Sequence, residues 1–159
     1  MALETGVPAP TFNKRRDNGD RVDLGEFKGK KHVLLAFFPG AFTGGCASEM
    51  ANLNQAIKQF EDLDTQVIGM SLDSQFALRA FSNSLGILKF PLVTDFNPKG
   101  EVSRAYGIWT GEGDRGHNVR ATFLIDKEGI IRFSETYEVG MLPDAKDLIS
   151  EVEKIAEAK

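Results

Sequence analysis

The chain has 159 residues, of which 42% are hydrophobic and 26% are charged, and its formal net charge at pH 7 is −4. This length and composition predict one globular domain over residues 1–159, built around one core. The acidic balance provides no basic surface for nucleic acid, and the longest apolar run, residues 33–39, is too short to cross a membrane.

The sequence contains one cysteine, Cys46. A single cysteine excludes an intramolecular disulfide, a Cys-x-x-Cys redox pair and a thiolate zinc site. No metal is predicted, because the two histidines and the cysteine have no carboxylates at a recognisable spacing. Residues 1–4 lack the charged and apolar regions of a signal peptide, so we expect a cytoplasmic protein.

The first half of the chain predicts a hairpin followed by two strand-helix units. An Asn-Gly step between two extended runs favours the hairpin, and a continuous apolar run favours a buried strand. Apolar residues at spacings of three and four favour helices. The predicted elements are a hairpin of residues 11–16 and 21–24, strands 32–38 and 65–72, and helices from Thr43 to about Asp62 and from Phe76 to about Gly86.

The second half predicts shorter elements and a second hairpin. They are a strand over 90–94, a helix over 98–106, a mobile loop over 111–116, strands 120–126 and 130–137 joined by residues 127–129, and a helix over 142–158 capped by Pro143 and Asp144. Crossover connections followed by a hairpin predict an α/β fold with a mixed sheet and helices on both faces. Thioredoxin-like folds have this order of elements.

Cys46 is predicted to lie in the first turn of a helix. If Thr43 is the N-cap, Cys46 occupies the third helical position, where unpaired N–H groups and the helix dipole favour a thiolate. The alternative is core packing, because Cys46 also begins an apolar stripe. The glycine-rich loop before it favours a functional site, since it follows the carboxyl end of a strand in an α/β sheet.

Residues 39–46 read PGAFTGGC and fit the pattern Pro-x-x-x-Thr-x-x-Cys, so the chain resembles the peroxiredoxins. The segments PAPTF at 8–12 and RATFLID at 120–126 support the resemblance, which spans nearly the whole chain. The segments FPLVTD at 90–95 and AYG at 105–107 are most similar to the alkyl hydroperoxide reductase E branch, with the bacterioferritin-comigratory branch second.

The resemblance implies that Cys46 is the peroxidatic nucleophile and that Thr43 hydrogen-bonds the peroxide. It implies further that Pro39 shields the thiolate from water and that Arg120 is the cation beside it. A fixed guanidinium can stabilise both the thiolate and the charge that grows on the leaving oxygen. Glu49 matches a family carboxylate that orients the arginine. The alternatives are a surface residue at the start of a strand for Arg120 and an exposed helix residue for Glu49.

Two positions depart from the family pattern. Ala47 stands where many relatives carry Thr or Ser, which removes a hydroxyl from the site. Ala51 stands where two-cysteine relatives of the second branch carry a resolving cysteine. We therefore expect a one-cysteine enzyme whose sulfenic acid is reduced by an external thiol or redoxin.

Other functions have weaker support. Residues 40–45 have the spacing of a P-loop, but Cys46 replaces the required lysine. His32 begins a buried strand and His117 lies in a polar loop, so neither suits a cysteine hydrolase. Trp109 and Phe42 are expected in the core, the site wall or a subunit contact.

The sequence thus predicts an enzyme that reduces hydrogen peroxide or organic hydroperoxides without a cofactor. Family resemblance implies a homodimer packed near the loop that precedes Cys46. The alternative from another class is a redox-sensing or binding protein that uses the same thiol with little turnover.

Overall fold

The described residues, 1–112 and 116–157 of a computed structural model, form strands and helices in an alternating order. A short 3₁₀ helix, Leu24–Phe27, follows the second strand. The other elements are β1 (Asn13–Arg15), β2 (Arg21–Asp23), β3 (His32–Phe37), α1 (Gly44–Gln55), α2 (Ile57–Asp62), β4 (Thr65–Ser71), α3 (Gln75–Ser84), β5 (Leu92–Thr94), α4 (Glu101–Ala105), β6 (Trp109–Thr110), β7 (His117–Asn118), β8 (Arg120–Ile125), β9 (Ile131–Tyr137) and α5 (Ala145–Glu157).

The central sheet has five strands in the order β5-β4-β3-β8-β9. β3 lies in the middle of the sheet, and all six of its residues are buried. This position suits a strand that has no polar face. It pairs parallel with β4 and antiparallel with β8. The predicted mixed sheet is therefore confirmed.

Two apolar clusters cover the two faces of this sheet. One contains Cys46 and buries side chains of α1, α2, α3 and α5 against alternate residues of β3. The other buries Val102 of α4, Leu24 of the 3₁₀ helix and residues of the β1-β2 hairpin against the remaining residues of β3. Helices thus lie on both faces, as predicted, although four of the five α-helices contribute to the face that holds Cys46.

Both predicted hairpins are present. β1 and β2 pair antiparallel around the Asn18-Gly19 step, where Gly19 adopts a φ of 95° that favours glycine. β8 and β9 pair antiparallel, and the Asp126 carboxylate accepts from the backbone N–H groups of Glu128 and Ile130 in the connecting turn. A third antiparallel pair, formed by the two-residue strands β6 and β7, was not predicted. The loop predicted over 111–116 lies half outside the described residues, at 113–115.

Three predicted helices have different bounds. The helix from Thr43 to Asp62 is two helices, because Ala56 leaves the helical conformation with φ −92° and ψ 5° while its N–H still reaches the carbonyls of Asn52 and Leu53. The helix at 98–106 is only α4, since Gly100 before it adopts a left-handed conformation. The last helix begins after Asp144, whose carboxylate accepts from Lys146 N–H, and the predicted end at residue 158 lies outside the described residues.

Candidate active site

The loop between β3 and α1, residues 38–43, positions the cysteine; we call it the active-site loop. Thr43 is the N-cap, with extended φ −81° and ψ 150°, and α1 begins at Gly44. Cys46 is therefore the third helical residue, as predicted from the sequence. The prediction relied on the Thr43 hydroxyl to cap the helix. This hydroxyl makes no capping hydrogen bond and instead donates to the Gly40 carbonyl at 2.9 Å.

Sheet register brings Arg120 to the cysteine. Because β3 and β8 are antiparallel and Phe37 pairs with Ala121, the first residue of β8 lies where β3 enters the active-site loop. Nη2 of Arg120 is 3.3 Å from Sγ of Cys46. The Arg120 side chain is only 11% exposed and Cys46 is fully buried. Cys46 is thus both part of the apolar cluster and in contact with a cation, and Arg120 is not an ordinary surface arginine.

Glu49 lies one turn after Cys46 and forms an ion pair with Nη1 of Arg120. It is 1% exposed, so the interpretation as an exposed helix residue is wrong. Burial raises the pKa of Glu49 to about 7, although the charge and hydrogen bond of Arg120 act in the opposite direction. Its second oxygen, Oε2, has no hydrogen-bond partner among the described residues. The carboxylate therefore points one oxygen at the guanidinium and keeps the other away from water.

Arg120 lies between the Glu49 carboxylate and the sulfur of Cys46. Burial alone would lower its pKa, but the charges of Glu49 and Cys46 and hydrogen bonds to both raise the pKa of Arg120 overall. The guanidinium thus remains a cation whose two terminal nitrogens face different partners, Glu49 and the sulfur. Such a fork can hold an anion at a fixed distance and direction.

Gly45 leaves room for this arrangement. A Cβ added at Gly45 would lie 3.2 Å from Nη2 of Arg120 and 3.6 Å from Cδ2 of Leu142. The first of these distances is tighter than ordinary van der Waals contact, so a side chain here would displace the guanidinium. At neighbouring Gly44 the same Cβ would meet no atom within 4 Å. Of the two glycines, Gly45 is thus the one whose missing side chain leaves room for the guanidinium.

The other predicted site residues lie on the outer side of the loop. Pro39 and Thr43 are both exposed, in contrast to buried Cys46. Phe42 is 60% exposed, and its ring centroid lies 5.3 Å from that of Phe81. Trp109 instead packs against Gly100 and Gly116 with the Arg104 guanidinium over its ring, so it belongs to the β6-β7 hairpin.

The histidines do not approach the cysteine. His32 is the first residue of β3, at the opposite end of the strand from the active-site loop. His117 is exposed, and its Nδ1 lies 3.0 Å from the Asn118 carbonyl oxygen. Within residues 1–112 and 116–157, no three His, Cys, Asp or Glu side chains are placed to hold a metal ion. No helix in the same residues is long and apolar enough to cross a membrane.

Sequence reasoning missed two residues that contact the active-site loop. Asn118 is fully buried, and its Nδ2 donates to the Phe38 carbonyl at 3.0 Å. Asp73 accepts a hydrogen bond from the Ala41 backbone N–H at 2.8 Å. A signal for Asp73 was available, because it lies two residues after the carboxyl end of β4, beside that of β3, and such ends carry the sites of parallel sheets.

The chain is similar to known proteins over most of its length. Residues 5–134 match the AhpC/TSA family. The chain is 38% identical over 144 residues to alkyl hydroperoxide reductase E of Mycobacterium tuberculosis, covering 91% of this chain and 92% of that protein. It is 34% identical over 152 residues to a putative peroxiredoxin in the rubredoxin operon of Clostridium pasteurianum, covering 89% of this chain and 83% of that protein.

Solved structures are also similar. The reduced 2-Cys peroxiredoxin of Plasmodium vivax superposes with a TM-score of 0.88 at 26% identity, covering 98% of this chain and 83% of that one. The peroxidoxin BcpB of Mycobacterium tuberculosis gives a TM-score of 0.87 at 23% identity, covering 96% and 98%, and shows a shared fold. The thioredoxin-like fold predicted from the element order is therefore confirmed. With a family match over most of its length, the chain belongs to the AhpC/TSA family and is a peroxiredoxin, a thiol-dependent peroxidase.

Proposed function

We propose that Cys46 is the peroxidatic nucleophile of this peroxiredoxin. The observation that carries the proposal is the 3.3 Å contact between Sγ of Cys46 and Nη2 of Arg120. The thiolate attacks one peroxide oxygen, and the O–O bond breaks as the S–O bond forms. The leaving oxygen takes a proton and departs as water or an alcohol, while Cys46 becomes a sulfenic acid.

Arg120 stabilises negative charge at both stages of this step. Before the attack its guanidinium faces the thiolate, and during the attack charge moves onto the peroxide oxygens beside it. A donor fixed in advance stabilises that charge without the reorganisation that water would need. Glu49 supports this role as a positioning residue, because its ion pair with Nη1 leaves Nη2 directed at the sulfur.

Thr43 and Pro39 act from the exposed side of the active-site loop. The Thr43 hydroxyl donates its hydrogen to the Gly40 carbonyl, so its oxygen can accept a hydrogen bond from the O–H of a peroxide. Pro39 has no N–H and limits the water that reaches the thiolate. We propose these as the two residues that receive the substrate, since both are exposed beside the buried sulfur.

An external thiol completes the cycle. The chain has one cysteine, so no second thiol within it can reduce the sulfenic acid. A thiol reductant condenses with the sulfenic acid to a mixed disulfide and water, and a second thiol releases the Cys46 thiol and a reductant disulfide. The substrates that fit this chemistry are hydrogen peroxide and organic hydroperoxides.

The protein is further proposed to be a cytoplasmic homodimer. Exposed aromatic side chains support a subunit contact near the active-site loop. Phe42 in the loop is 60% exposed, and Phe76 at the start of α3 is 73% exposed. Aromatic residues are enriched in the cores of protein interfaces. Sedimentation of Phe42→Ser beside the unmodified chain tests this contact, and an unchanged dimer in the variant would place the interface elsewhere.

Steady-state peroxide consumption tests the function. With a thiol in excess the chain should consume many equivalents of hydrogen peroxide, whereas Cys46→Ser should consume none and keep its fold, because the hydroxyl stays neutral and has a similar volume. A redox-sensing protein would react once and turn over little. Retained activity in Cys46→Ser would remove Cys46 from the mechanism.

A further inference from the structure

The active-site loop contains a strained residue. Phe42 adopts φ 65°, in the left-handed region that favours glycine. A residue other than glycine keeps such a conformation only where its surroundings hold it. Phe42 also immediately precedes Thr43, the N-cap of the helix that carries Cys46. Contacts that hold Phe42 in this conformation therefore also help to set the position of Thr43, after which α1 begins.

Asp73 supplies one of the contacts that hold the turn. Its Oδ2 accepts the Ala41 backbone N–H at 2.8 Å, on the peptide that precedes Phe42. The same oxygen accepts the Ser71 hydroxyl at 2.6 Å. One carboxylate oxygen thus joins the Ala41 amide of the loop to the Ser71 hydroxyl at the end of β4.

The carboxylate is itself held in place from two strands. The Asp73 N–H donates to Ser71 Oγ at 3.2 Å, at the end of β4. The Thr94 hydroxyl, at the end of β5, donates to the Asp73 carbonyl at 2.6 Å. An acceptor braced in this way can hold the loop in place, because its own backbone and side chain have little freedom.

We propose that Asp73 is a positioning residue for the peroxidase reaction, holding the active-site loop so that Thr43 and the first turn of α1 face the substrate. Asp73 does not touch the sulfur and acts through the Ala41 N–H. This inference rests on the proposed function of Cys46 and Thr43. The Ala41 N–H needs an acceptor oxygen on the side chain of residue 73, and an asparagine can also provide one.

Three variants test the proposal. Asp73→Ala removes the acceptor, Asp73→Asn keeps one, and Asp126→Ala removes a carboxylate that accepts backbone N–H groups in the β8-β9 turn, at the other end of the sheet. The rate of hydrogen peroxide reduction by Cys46 should fall at least about tenfold in Asp73→Ala. It should stay within about threefold of the unmodified chain in Asp73→Asn and Asp126→Ala.

A second reaction separates positioning from general damage. Alkylation of Cys46 by iodoacetamide needs the thiolate but no aligned peroxide, so Asp73→Ala should slow it far less than peroxide reduction. An equal fall in both rates, or an unchanged peroxide rate in Asp73→Ala, overturns the inference. Equal losses in Asp73→Asn and Asp73→Ala overturn it as well. An unmodified chain that consumes no peroxide would instead overturn the proposed function.

Hydrogen exchange tests the contact without any substitution. The Ala41 amide should exchange at least about tenfold more slowly than expected for an unstructured chain, because Asp73 accepts its hydrogen. Exchange of Ala41 at the rate of an unstructured amide would overturn the inference even if Asp73→Ala failed to fold.

Discussion

Arg120 and Cys46 are separated by 74 positions in the chain, and Nη2 of the arginine lies 3.3 Å from Sγ of the cysteine. Two features of the fold produce this contact. The antiparallel register of β3 and β8 places Arg120 at the start of the active-site loop, and Glu49 holds the other terminal nitrogen of the guanidinium. The sheet register thus sets the position of the Arg120 guanidinium, and Glu49 of α1 sets its orientation.

Replacing Arg120 should slow the attack on peroxide. In Arg120→Leu the thiolate and the leaving oxygen lose their fixed cation, and a loss of about 1.4 kcal/mol or more of charge stabilisation corresponds to at least about a tenfold slower reaction. Stopped-flow measurement of peroxide reduction gives the rate. Arg132→Leu is the matched control, because Arg132 pairs with Asp126 at the opposite end of the sheet. Equal rates in the two variants would show that Arg120 takes no part in the reaction.

Gly45→Ala should reduce activity although it adds only a methyl group. The new Cβ would lie 3.2 Å from Nη2 of Arg120, so the guanidinium must move away from its present position. We expect peroxide reduction to slow about threefold or more, equivalent to about 0.7 kcal/mol. Gly44→Ala is the control, since a Cβ there meets no atom within 4 Å and should leave the rate unchanged. If both variants keep the original rate, the close fit at Gly45 has no functional consequence.

The buried carboxylate of Glu49 should make stability depend on pH. Burial raises the pKa of Glu49 from 4.5 to about 7, so the folded state binds this proton more tightly than the unfolded state. The neutral carboxyl therefore contributes stability that is fully present below pH 4.5 and is lost as the pH rises to about 7. The loss amounts to roughly 3 kcal/mol.

Glu49→Gln isolates this contribution, because the amide does not titrate. Urea denaturation of both reduced proteins across this pH range gives their free energies of unfolding. The stability of the unmodified chain relative to Glu49→Gln should fall by roughly 3 kcal/mol from about pH 4 to about pH 8. A difference that stays constant across the range would contradict the raised pKa.

The single cysteine predicts how the reaction stops without reductant. Each chain should consume about one peroxide, form a sulfenic acid that a dimedone-type reagent captures, and then stall. Excess peroxide should oxidise the stalled Cys46 to a sulfinic acid, and an added small thiol should restore turnover before that point. Mass spectrometry after stepwise addition of peroxide counts the added oxygens. Consumption of many equivalents without thiol would contradict the one-cysteine mechanism.

The sequence by itself determined the features that depend on neighbouring residues. The unbroken apolar run at β3 requires a central strand, and the position of Thr43 three residues before Cys46 places the cysteine in the first turn of α1. Both follow from local patterns, because burial of a strand and the start of a helix depend on residues within a few positions. The placement of Cys46 at the start of a helix was therefore predictable, and the family motif added the residues expected around it.

Only the tertiary structure decided which polar groups meet at the sulfur. The burial of Glu49 and its ion pair with Arg120 depend on how β8 pairs with β3, and the steric requirement at Gly45 depends on where the guanidinium then lies. Likewise the hydrogen bond from Ala41 to Asp73 joins residues 32 positions apart. Side chains so distant in sequence share no local pattern, and sheet register, which aligns whole strands, sets the distances between them.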